Sequence, residues 1–279
     1  MTKDISSELV GETFDPIPTS WNSKDTMLYA LGVGANATDD LDFVYEGRGP
    51  KVLPTFGVIP GMLSMAGMFG KITVNPLMIL HGEQGITCHR EIPPDASAQV
   101  SGKVTAIWDK GKAAVLVVEG ETSDQDGPLF TTRSSIFVRG AGGFGGERGP
   151  SASESNIPDR KPDEIVVEQT RPEQAALYRL SGDRNPLHVD PDFAKAAGFD
   201  KPFIHGLCTY GFVGRALLAT FCDRNPAKFK SLDGRFAERV YPGDTITTEF
   251  WDLGEGKLVL QASTHRGVVL SQATAEVRN

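Results

Sequence analysis

The stretch Leu177-Tyr-Arg-Leu-Ser-Gly-Asp-Arg-Asn-Pro-Leu-His188 decides the fold of this chain, because its beginning recurs as Leu28-Tyr-Ala-Leu-Gly-Val-Gly34 at an offset of 149 residues. Further matches follow in the same order and at nearly the same offset: Arg90-Glu-Ile-Pro-Pro-Asp-Ala96 with Glu238-Arg-Val-Tyr-Pro-Gly-Asp244, Ile107-Trp-Asp109 with Phe250-Trp-Asp252, and Lys110-Gly-Lys112 with Glu255-Gly-Lys257. Each match is weak alone, but their shared order predicts one fold that is written twice.

Each half is expected to begin with helical elements. The run Thr170-Arg-Pro-Glu173 has the pattern of an N-cap, a first-turn proline and a capping-box glutamate, so a helix is predicted from Thr170 to about Ser181-Gly182. Apolar residues at helical spacing predict a longer helix over residues 206–221. The glycines inside this longer helix are expected to mark close packing.

Each half is expected to end in antiparallel strands. Polar and apolar residues alternate in Asp244-Thr-Ile-Thr-Thr-Glu-Phe-Trp251, and the turn sequence Leu253-Gly-Glu-Gly256 follows directly. A long helix beside an antiparallel sheet predicts an α+β fold in which the sheet wraps around the helix.

The domain organisation follows from the repeat and from composition. We predict an N-terminal tail (1–15), an N-terminal half (16–140), a linker (141–163) and a C-terminal half (164–279). Within the linker, Gly142-Gly-Phe-Gly-Gly146 is interpreted as a flexible hinge. A phosphate-binding loop is disfavoured because neither a lysine nor a helix start follows in the required places.

Composition excludes several classes of protein. The net charge of −8 without a compensating basic run argues against nucleic acid as a partner. The sequence contains no uninterrupted apolar run of 18 residues, so no membrane-spanning helix is expected. Residues 1–15 lack the apolar core of a signal peptide. Cys88, Cys208 and Cys222 are scattered and odd in number, which favours reduced thiols. Because Val277-Arg-Asn279 also does not resemble a peroxisomal address, a cytoplasmic location is expected.

Asp183 and His188 are the candidate catalytic pair. A histidine titrates near neutral pH, and a nearby carboxylate can orient it, so the two side chains could hold and deprotonate a water molecule without a metal. The Asn185-Pro step bends the chain so that both could project from one loop. The alternative is an ordinary structural turn. At the repeat offset, Gly34 and Asp39 stand opposite the pair, so only the C-terminal half carries it.

Gly206 is the third candidate component of the site. If the long helix starts there, its first N–H groups lack intrahelical partners and could bind a developing oxyanion on a thioester. A glycine also lets a ligand approach the backbone closely. His205 could cap or line this entrance, although a purely structural role is the alternative.

These segments resemble the signature of (R)-specific enoyl-CoA hydratases, the hydratase 2 or MaoC-like family. The motif from Tyr178 to His188 carries the resemblance together with Phe193-Ala-Lys-Ala-Ala197 and His205-Gly-Leu-Cys208. Other matching segments are similar to the hydratase part of the peroxisomal multifunctional enzyme: Tyr29-Ala-Leu-Gly-Val-Gly34, Phe43-Val-Tyr-Glu-Gly47, Leu53-Pro-Thr-Phe-Gly-Val-Ile59, His81-Gly-Glu-Gln84, Gly142-Gly-Phe-Gly-Gly146 and Val240-Tyr-Pro-Gly243. The resemblance covers roughly residues 16–277.

The resemblance implies a double hot-dog fold and syn hydration of trans-2-enoyl-CoA to (3R)-3-hydroxyacyl-CoA in fatty-acid or sterol side-chain β-oxidation. Asp183 and His188 would activate water, Asn185 would support their loop, and the Gly206 N–H would bind the thioester oxygen. Three further residues are expected at the substrate: Gly182, His205 and Glu46, the last through structural support. No metal and no cofactor beyond the coenzyme A of the substrate is expected.

The resemblance also says what the two halves do. The degenerate N-terminal half would accommodate the acyl chain, which could be long, branched or a steroid side chain. Coenzyme A would lie along the C-terminal half near basic residues, with several candidates: Arg184, Lys195, Lys201, Arg215 and Arg235. A homodimer is allowed by the same resemblance.

Two other functions stay open at this point. A hot-dog thioesterase would cleave the same kind of thioester, and a non-catalytic acyl-CoA binding protein would not need the acid–base pair. The pattern Asp-x-Asn-Pro-x-x-His from Asp183 to His188 favours the hydratase over both.

Overall fold

The computed structural model describes residues 4–75, 78–150 and 155–278. The strands are β1 Thr13–Trp21, β2 Ile79–Cys88, β3 Ala96–Asp109, β4 Ala113–Asp124, β5 Gly127–Arg139, β6 Glu164–Gln169, β7 Phe229–Phe236, β8 Thr245–Asp252, β9 Lys257–Thr264 and β10 Gly267–Val277. The α-helices are α1 Ser23–Gly32, α2 Leu41–Val44, α3 Val58–Phe69, α4 Gln174–Tyr178, α5 Pro191–Ala196 and α6 Gly206–Phe221. One strand, three helices and four strands thus follow each other twice, as the internal repeat predicts.

The strands form one antiparallel sheet of ten, in the order β1-β3-β4-β5-β2-β7-β10-β9-β8-β6. The two halves of this order mirror each other, and they meet where β2 pairs with its counterpart β7, for example at Gln84 opposite Gly234. Each half therefore contributes five strands to a continuous sheet. This pseudo-twofold arrangement agrees with the predicted α+β double hot-dog architecture.

The long helix of each half lies against its own strands, α3 against β1, β3 and β4, and α6 against β7 and β10. Residues 207–218 of α6 are all buried. Its glycines bring the N-terminal half close, since a Cβ at Gly211 would lie 2.4 Å from Val33 and one at Gly214 would lie 2.3 Å from Thr55. The predicted bounds of α6 and the packing role of its glycines are confirmed.

The predicted start of helix α4 is wrong. The helix begins at Gln174 and has no side-chain N-cap. The hydroxyl of Thr170 is used elsewhere: it donates to the carbonyl oxygen of Asp244 at 2.8 Å and accepts from the Gly243 N–H at 3.0 Å. A tertiary contact with the loop before β8 thus replaces the local cap, while the predicted end near Ser181 agrees with a terminal 3-10 turn.

Each half also begins with a strand, which the prediction of leading helical elements missed. Strand β1 starts at Thr13, and Leu9 before it is buried, so part of the segment assigned to a tail packs on the fold. The glycine segment is not a free hinge either, because the Asp109 carboxylate accepts hydrogen bonds from the N–H groups of Gly143 at 2.9 Å and Gly145 at 2.8 Å. In the part of the chain that the structure describes, no helix combines the length and the apolar character needed to cross a bilayer.

Candidate active site

The loop between α4 and α5 carries the candidate acid–base pair, and its shape is set by local hydrogen bonds. The Asp183 carboxylate accepts from the Asn185 N–H at 3.1 Å. The Asn185 side chain in turn accepts from the Leu187 N–H at 3.1 Å and caps the 3-10 turn Pro186–His188. Asn185 therefore supports the loop, and the proline at the start of the turn fixes the direction in which His188 leaves it.

His188 is held in the form of a base. Its Nδ1 lies 2.8 Å from the carbonyl oxygen of Phe203. A carbonyl can only accept, so Nδ1 carries the proton and Nε2 keeps its lone pair. Burial lowers the pKa of His188, against the opposing effects of the Phe203 carbonyl and the Asp183 carboxylate. The imidazole is consequently neutral at pH 7 and can accept a proton at Nε2.

His205 lies directly against His188, with the two ring centroids 3.7 Å apart and the ring planes inclined by 32°. Its Nε2 is 3.1 Å from the backbone oxygen of Asp183. Burial and, to a lesser extent, the neighbouring His188 together lower the pKa of His205 to about 3. One side chain thus touches both members of the acid–base pair.

Gly206 begins helix α6, whose N-terminus has no side-chain cap. No group in residues 4–75, 78–150 or 155–278 accepts a hydrogen bond from the Gly206 N–H. A Cβ at this position would lie 3.2 Å from the ring of Phe236, which leaves little room for any larger residue. The structure therefore presents a backbone N–H at the positive end of a helix, on the wall of the cavity described next.

Both halves line a cavity of about 1330 Å³. The loop residues Asp183, Asn185 and His188 lie on its wall together with His205 and Gly206. Apolar side chains of the N-terminal half line another part: Met62, Met65, Phe69, Ile79, Val115, Ile136 and Phe137. Basic side chains also reach it: Lys110, Arg133, Arg139, Arg148, Arg235 and Arg239.

Two of the predicted substrate contacts lie outside this lining. Glu46 is exposed in the 3-10 turn Glu46–Arg48 of the N-terminal half, so the structure does not bring its side chain to the cavity. Gly182 precedes Asp183 and ends the turn after α4, with a φ of +148° that only glycine adopts readily. Its role is to let the chain change direction before the catalytic loop.

His81 is a cavity residue that the sequence analysis did not assign. It lies on β2 of the N-terminal half, where its Nε2 is 3.0 Å from the Glu83 carbonyl oxygen and its ring packs edge-on against Phe236. Burial lowers the pKa of His81 to about 4, although the Asp183 carboxylate acts in the opposite direction. The only available signal was the matching segment His81-Gly-Glu-Gln84, which gave no indication of the residue's position.

A second cavity of about 370 Å³ lies at the corresponding place in the other half. Gly34 and Asp39, which stand opposite Asp183 and His188 in the repeat, line it. A Cβ at Gly34 would lie 2.4 Å from the ring of Phe212 and 3.1 Å from the guanidinium of Arg215. Side chains of α6 therefore fill the space that a carboxylate would need, and only one of the two equivalent sites can carry the pair.

Arg215 is the centre of a buried charge cluster at this second cavity. It pairs with Asp40 at 2.9 Å and with Glu168, and its Nε donates to the Val33 oxygen at 3.1 Å. These contacts use all three nitrogens of the guanidinium. Arg215 does not line the larger cavity, and of the five predicted basic candidates only Arg235 does, where it pairs with Glu83.

Asp183, His188 and His205 offer donor atoms that all lie within 4.8 Å of one another. An imidazole binds a metal in the plane of its ring, and two rings stacked face to face direct their lone pairs past each other. The trio thus has the chemistry of a metal site without its usual geometry. That the site works without a metal stays a prediction.

Comparisons with known proteins show the family of both halves. Residues 20–140 match the family model of the MFE-2 hydratase 2 N-terminal domain, and residues 153–274 match the MaoC like domain. The chain is 42% identical to the probable enoyl-CoA hydratase 2 of Dictyostelium discoideum, over 99% of this chain and 97% of that protein. It is 39% identical to the peroxisomal multifunctional enzyme type 2 of Mus musculus, over 96% of this chain and 38% of that protein.

A solved structure gives the same result for the fold. The MaoC-like dehydratase from Phytophthora capsici superposes with a TM-score of 0.88 at 32% identity, over 99% of this chain and 98% of that one. A Mycobacterium tuberculosis protein described as a double hotdog fold matches with a TM-score of 0.60 at 12% identity, which speaks for the fold alone. The chain belongs to the hydratase 2 group of the MaoC-like dehydratase family.

Proposed function

We propose that this protein adds water to trans-2-enoyl-CoA and forms (3R)-3-hydroxyacyl-CoA, as a hydro-lyase of fatty-acid or sterol side-chain β-oxidation. One observation carries the proposal: the neutral His188 imidazole, the Asp183 carboxylate and the Gly206 N–H lie on one wall of one cavity. Relatives that are named enoyl-CoA hydratase 2 support the same reaction.

The reaction needs a base, an acid and an anion-binding group, and each role has a residue. A water molecule that the Asp183 carboxylate holds by a hydrogen bond gives up a proton to Nε2 of His188 as its oxygen bonds to C3 of the enoyl group. The electrons of the double bond move toward the thioester, and the negative charge that grows on its oxygen is stabilised by the Gly206 N–H. The proton then passes to C2 on the same face, so one water adds syn and the pair returns to its starting state.

The basic residues of the cavity provide a place for the coenzyme A phosphates. Within the described parts of the chain, Lys110, Arg139, Arg148 and Arg239 form no ion pair with a carboxylate, although Lys110 donates to the Pro150 oxygen at 2.9 Å. Arg133 and Arg235 both face Glu83. Free guanidinium and ammonium groups are suited to bind phosphate oxygens. We therefore assign the phosphates to these four residues, of which Lys110 and Arg139 belong to the N-terminal half, Arg148 to the linker and Arg239 to the C-terminal half.

The apolar part of the cavity would receive the acyl chain. Met62 and Met65 lie there on α3, and methionine side chains adapt to ligands of different shape. Helix α3 also brings Phe69 to the cavity, whereas α6 contributes only its first turn, with Gly206, Leu207 and Thr209. This arrangement supports long or bulky acyl groups over short ones.

The decisive experiment measures hydration of crotonyl-CoA and of trans-2-decenoyl-CoA by the loss of enoyl-thioester absorbance. Coupling to an (R)-specific 3-hydroxyacyl-CoA dehydrogenase should give turnover, and coupling to an (S)-specific one should not. Release of free coenzyme A would establish a thioesterase instead. Binding of both thioesters without turnover would establish a binding protein and would contradict the proposal.

A cytoplasmic location and a homodimeric assembly complete the proposal. The three cysteines are buried free thiols, which fits a reducing compartment such as the cytoplasm. A homodimer would have twice the chain mass of 30.0 kDa. Light scattering of the purified protein tests the second proposal, and fractionation of its host cell tests the first.

A further inference from the structure

We propose that His205 is a positioning residue, which holds Asp183 and His188 in their reactive arrangement without touching the substrate. The proposal rests on the hydratase function proposed above. It assigns to His205 a role different from the substrate contact that the sequence suggested.

His205 contacts both members of the acid–base pair. Its ring covers the face of His188 at a centroid distance of 3.7 Å. Its Nε2–H donates to the backbone oxygen of Asp183 at 3.1 Å, because a carbonyl oxygen can only accept. The next residue in the chain is Gly206, so the base, the carboxylate loop and the oxyanion donor all depend on the place of one ring.

His205 cannot move away from this place. Tyr178, itself fully buried, packs against the ring of His205 at a centroid distance of 4.9 Å, and Tyr29 supports Tyr178 at 6.0 Å. On the other side Phe203 holds His188 edge-on at 5.3 Å. The two imidazoles are therefore clamped within a row of aromatic rings that starts in the N-terminal half.

The protonation state of His205 fits positioning and not proton transfer. Nε2 carries the proton that it donates to Asp183, and Nδ1 is buried without a partner in the described residues. Burial is the largest effect that lowers the pKa of His205, and His188 and Arg179 act in the same direction; together they outweigh the opposing effect of Asp183. Only 1% of His205 is exposed, so the ring has almost no surface to offer to a substrate.

Two substitutions separate the two contacts. His205→Gln keeps an N–H near the position of Nε2 and removes the ring, whereas His205→Phe keeps a ring and removes the donor. His265→Gln is the matched control, since the side chain of His265 is 64% exposed and is not among the residues that line the cavity. All three are compared with the unmodified protein in kcat and KM for trans-2-decenoyl-CoA, and in the ¹⁵N signals of the His188 imidazole.

We expect kcat to fall about 10- to 100-fold in both His205 variants, the loss that a misplacement of about 1 Å produces. KM should change by less than about threefold, because ground-state binding is untouched. The His188 signals should change from a single Nδ1-protonated form to a mixture of tautomers. The control should match the unmodified protein in all three readouts.

The outcomes are distinct. A folded His205 variant with unchanged kcat overturns the positioning role, and so does a raised KM at unchanged kcat, which would indicate a substrate contact. If one variant fails to fold, as judged by circular dichroism, the other decides. Absence of turnover in the unmodified protein would instead overturn the proposed function and leave no rate for the variants to lose.

Discussion

The Nδ1–H of His188 donates to the carbonyl oxygen of Phe203 at 2.8 Å, and this bond decides which nitrogen of the ring can act as a base. Phe203 is fifteen positions further along the chain, after helix α5 and the turn that follows it. The loop that carries His188 is thus tied to the segment that leads into α6, so the base and the oxyanion donor at Gly206 move as one unit. Several consequences can be measured.

Replacing the carboxylate should stop catalysis and leave binding intact. Asp183→Asn is expected to lower kcat by about 10²- to 10⁴-fold, because a neutral amide holds and polarises the attacking water less strongly than a carboxylate does. Steady-state kinetics and calorimetric binding of the product thioester measure the two quantities. Asp39→Asn makes the same change at the position that corresponds to His188 in the repeat; Asp39 lines the second cavity, so this control should leave kcat unchanged. A normal rate in Asp183→Asn would contradict the assignment.

The acid limb of the pH–rate profile should lie below the ordinary pKa of histidine. Burial lowers the pKa of His188, and the neutral ring is the active form, so protonation on the acid side removes the base. We expect kcat/KM to change little between pH 7 and pH 6.5, and its fall on the acid side to be centred below pH 6.5. An acid limb centred above pH 6.5 would mean that His188 is protonated in the resting site.

The stability of the folded protein should fall as the pH decreases below 6.5. The folded protein keeps His81 and His205 neutral, with pKa values of about 4 and about 3, whereas both take up protons near pH 6.5 once unfolded. The unfolded state therefore binds more protons below pH 6.5, which favours unfolding as the pH drops. The midpoint of thermal unfolding should be lower at pH 5 than at pH 7. His205→Gln should reduce this difference, and an unchanged difference would contradict the prediction.

The buried charge cluster at the second cavity should be costly to break. Arg215→Met leaves Asp40, which is only 2% exposed, without its main counter-charge, and the expected loss is about 3–5 kcal/mol in the free energy of unfolding. Arg224→Ala removes a half-exposed partner of the same carboxylate at 3.7 Å and should cost less than about 1 kcal/mol. Urea denaturation compares the two. Equal losses would argue against the cluster as a structural centre.

Binding of the coenzyme A phosphates should depend on the free basic residues of the cavity. Lys110→Ala and Arg148→Ala are each expected to raise KM about fivefold at constant kcat, which corresponds to roughly 1 kcal/mol of lost interaction. The effect should shrink as salt is added, since exposed charges are screened. Lys230→Ala, whose side chain pairs with Glu276 outside the cavity, serves as the control. An unchanged KM would place the phosphates elsewhere.

The sequence by itself determined the features that depend on near neighbours. The Asp183–Asn185–Pro186 turn is local, because each carboxylate or amide oxygen accepts an N–H two residues ahead. The bounds of α6 follow from helical periodicity, and the repeat follows from matches of residue type. These patterns predicted the fold, and they predicted the loop that brings Asp183 and His188 to one cavity wall.

Tertiary structure alone decided the contacts between distant parts of the chain. The Thr170 hydroxyl binds the Asp244 carbonyl oxygen and does not cap helix α4 as predicted. His81 lines the cavity although it belongs to the N-terminal half, and Glu46 does not line it. The stack of His205 on His188 joins residues 17 positions apart through the close packing of two loops, and Phe212 fills the space beside Gly34. No periodicity or turn pattern records such contacts, because they depend on which surfaces meet after the ten strands have closed around their helices.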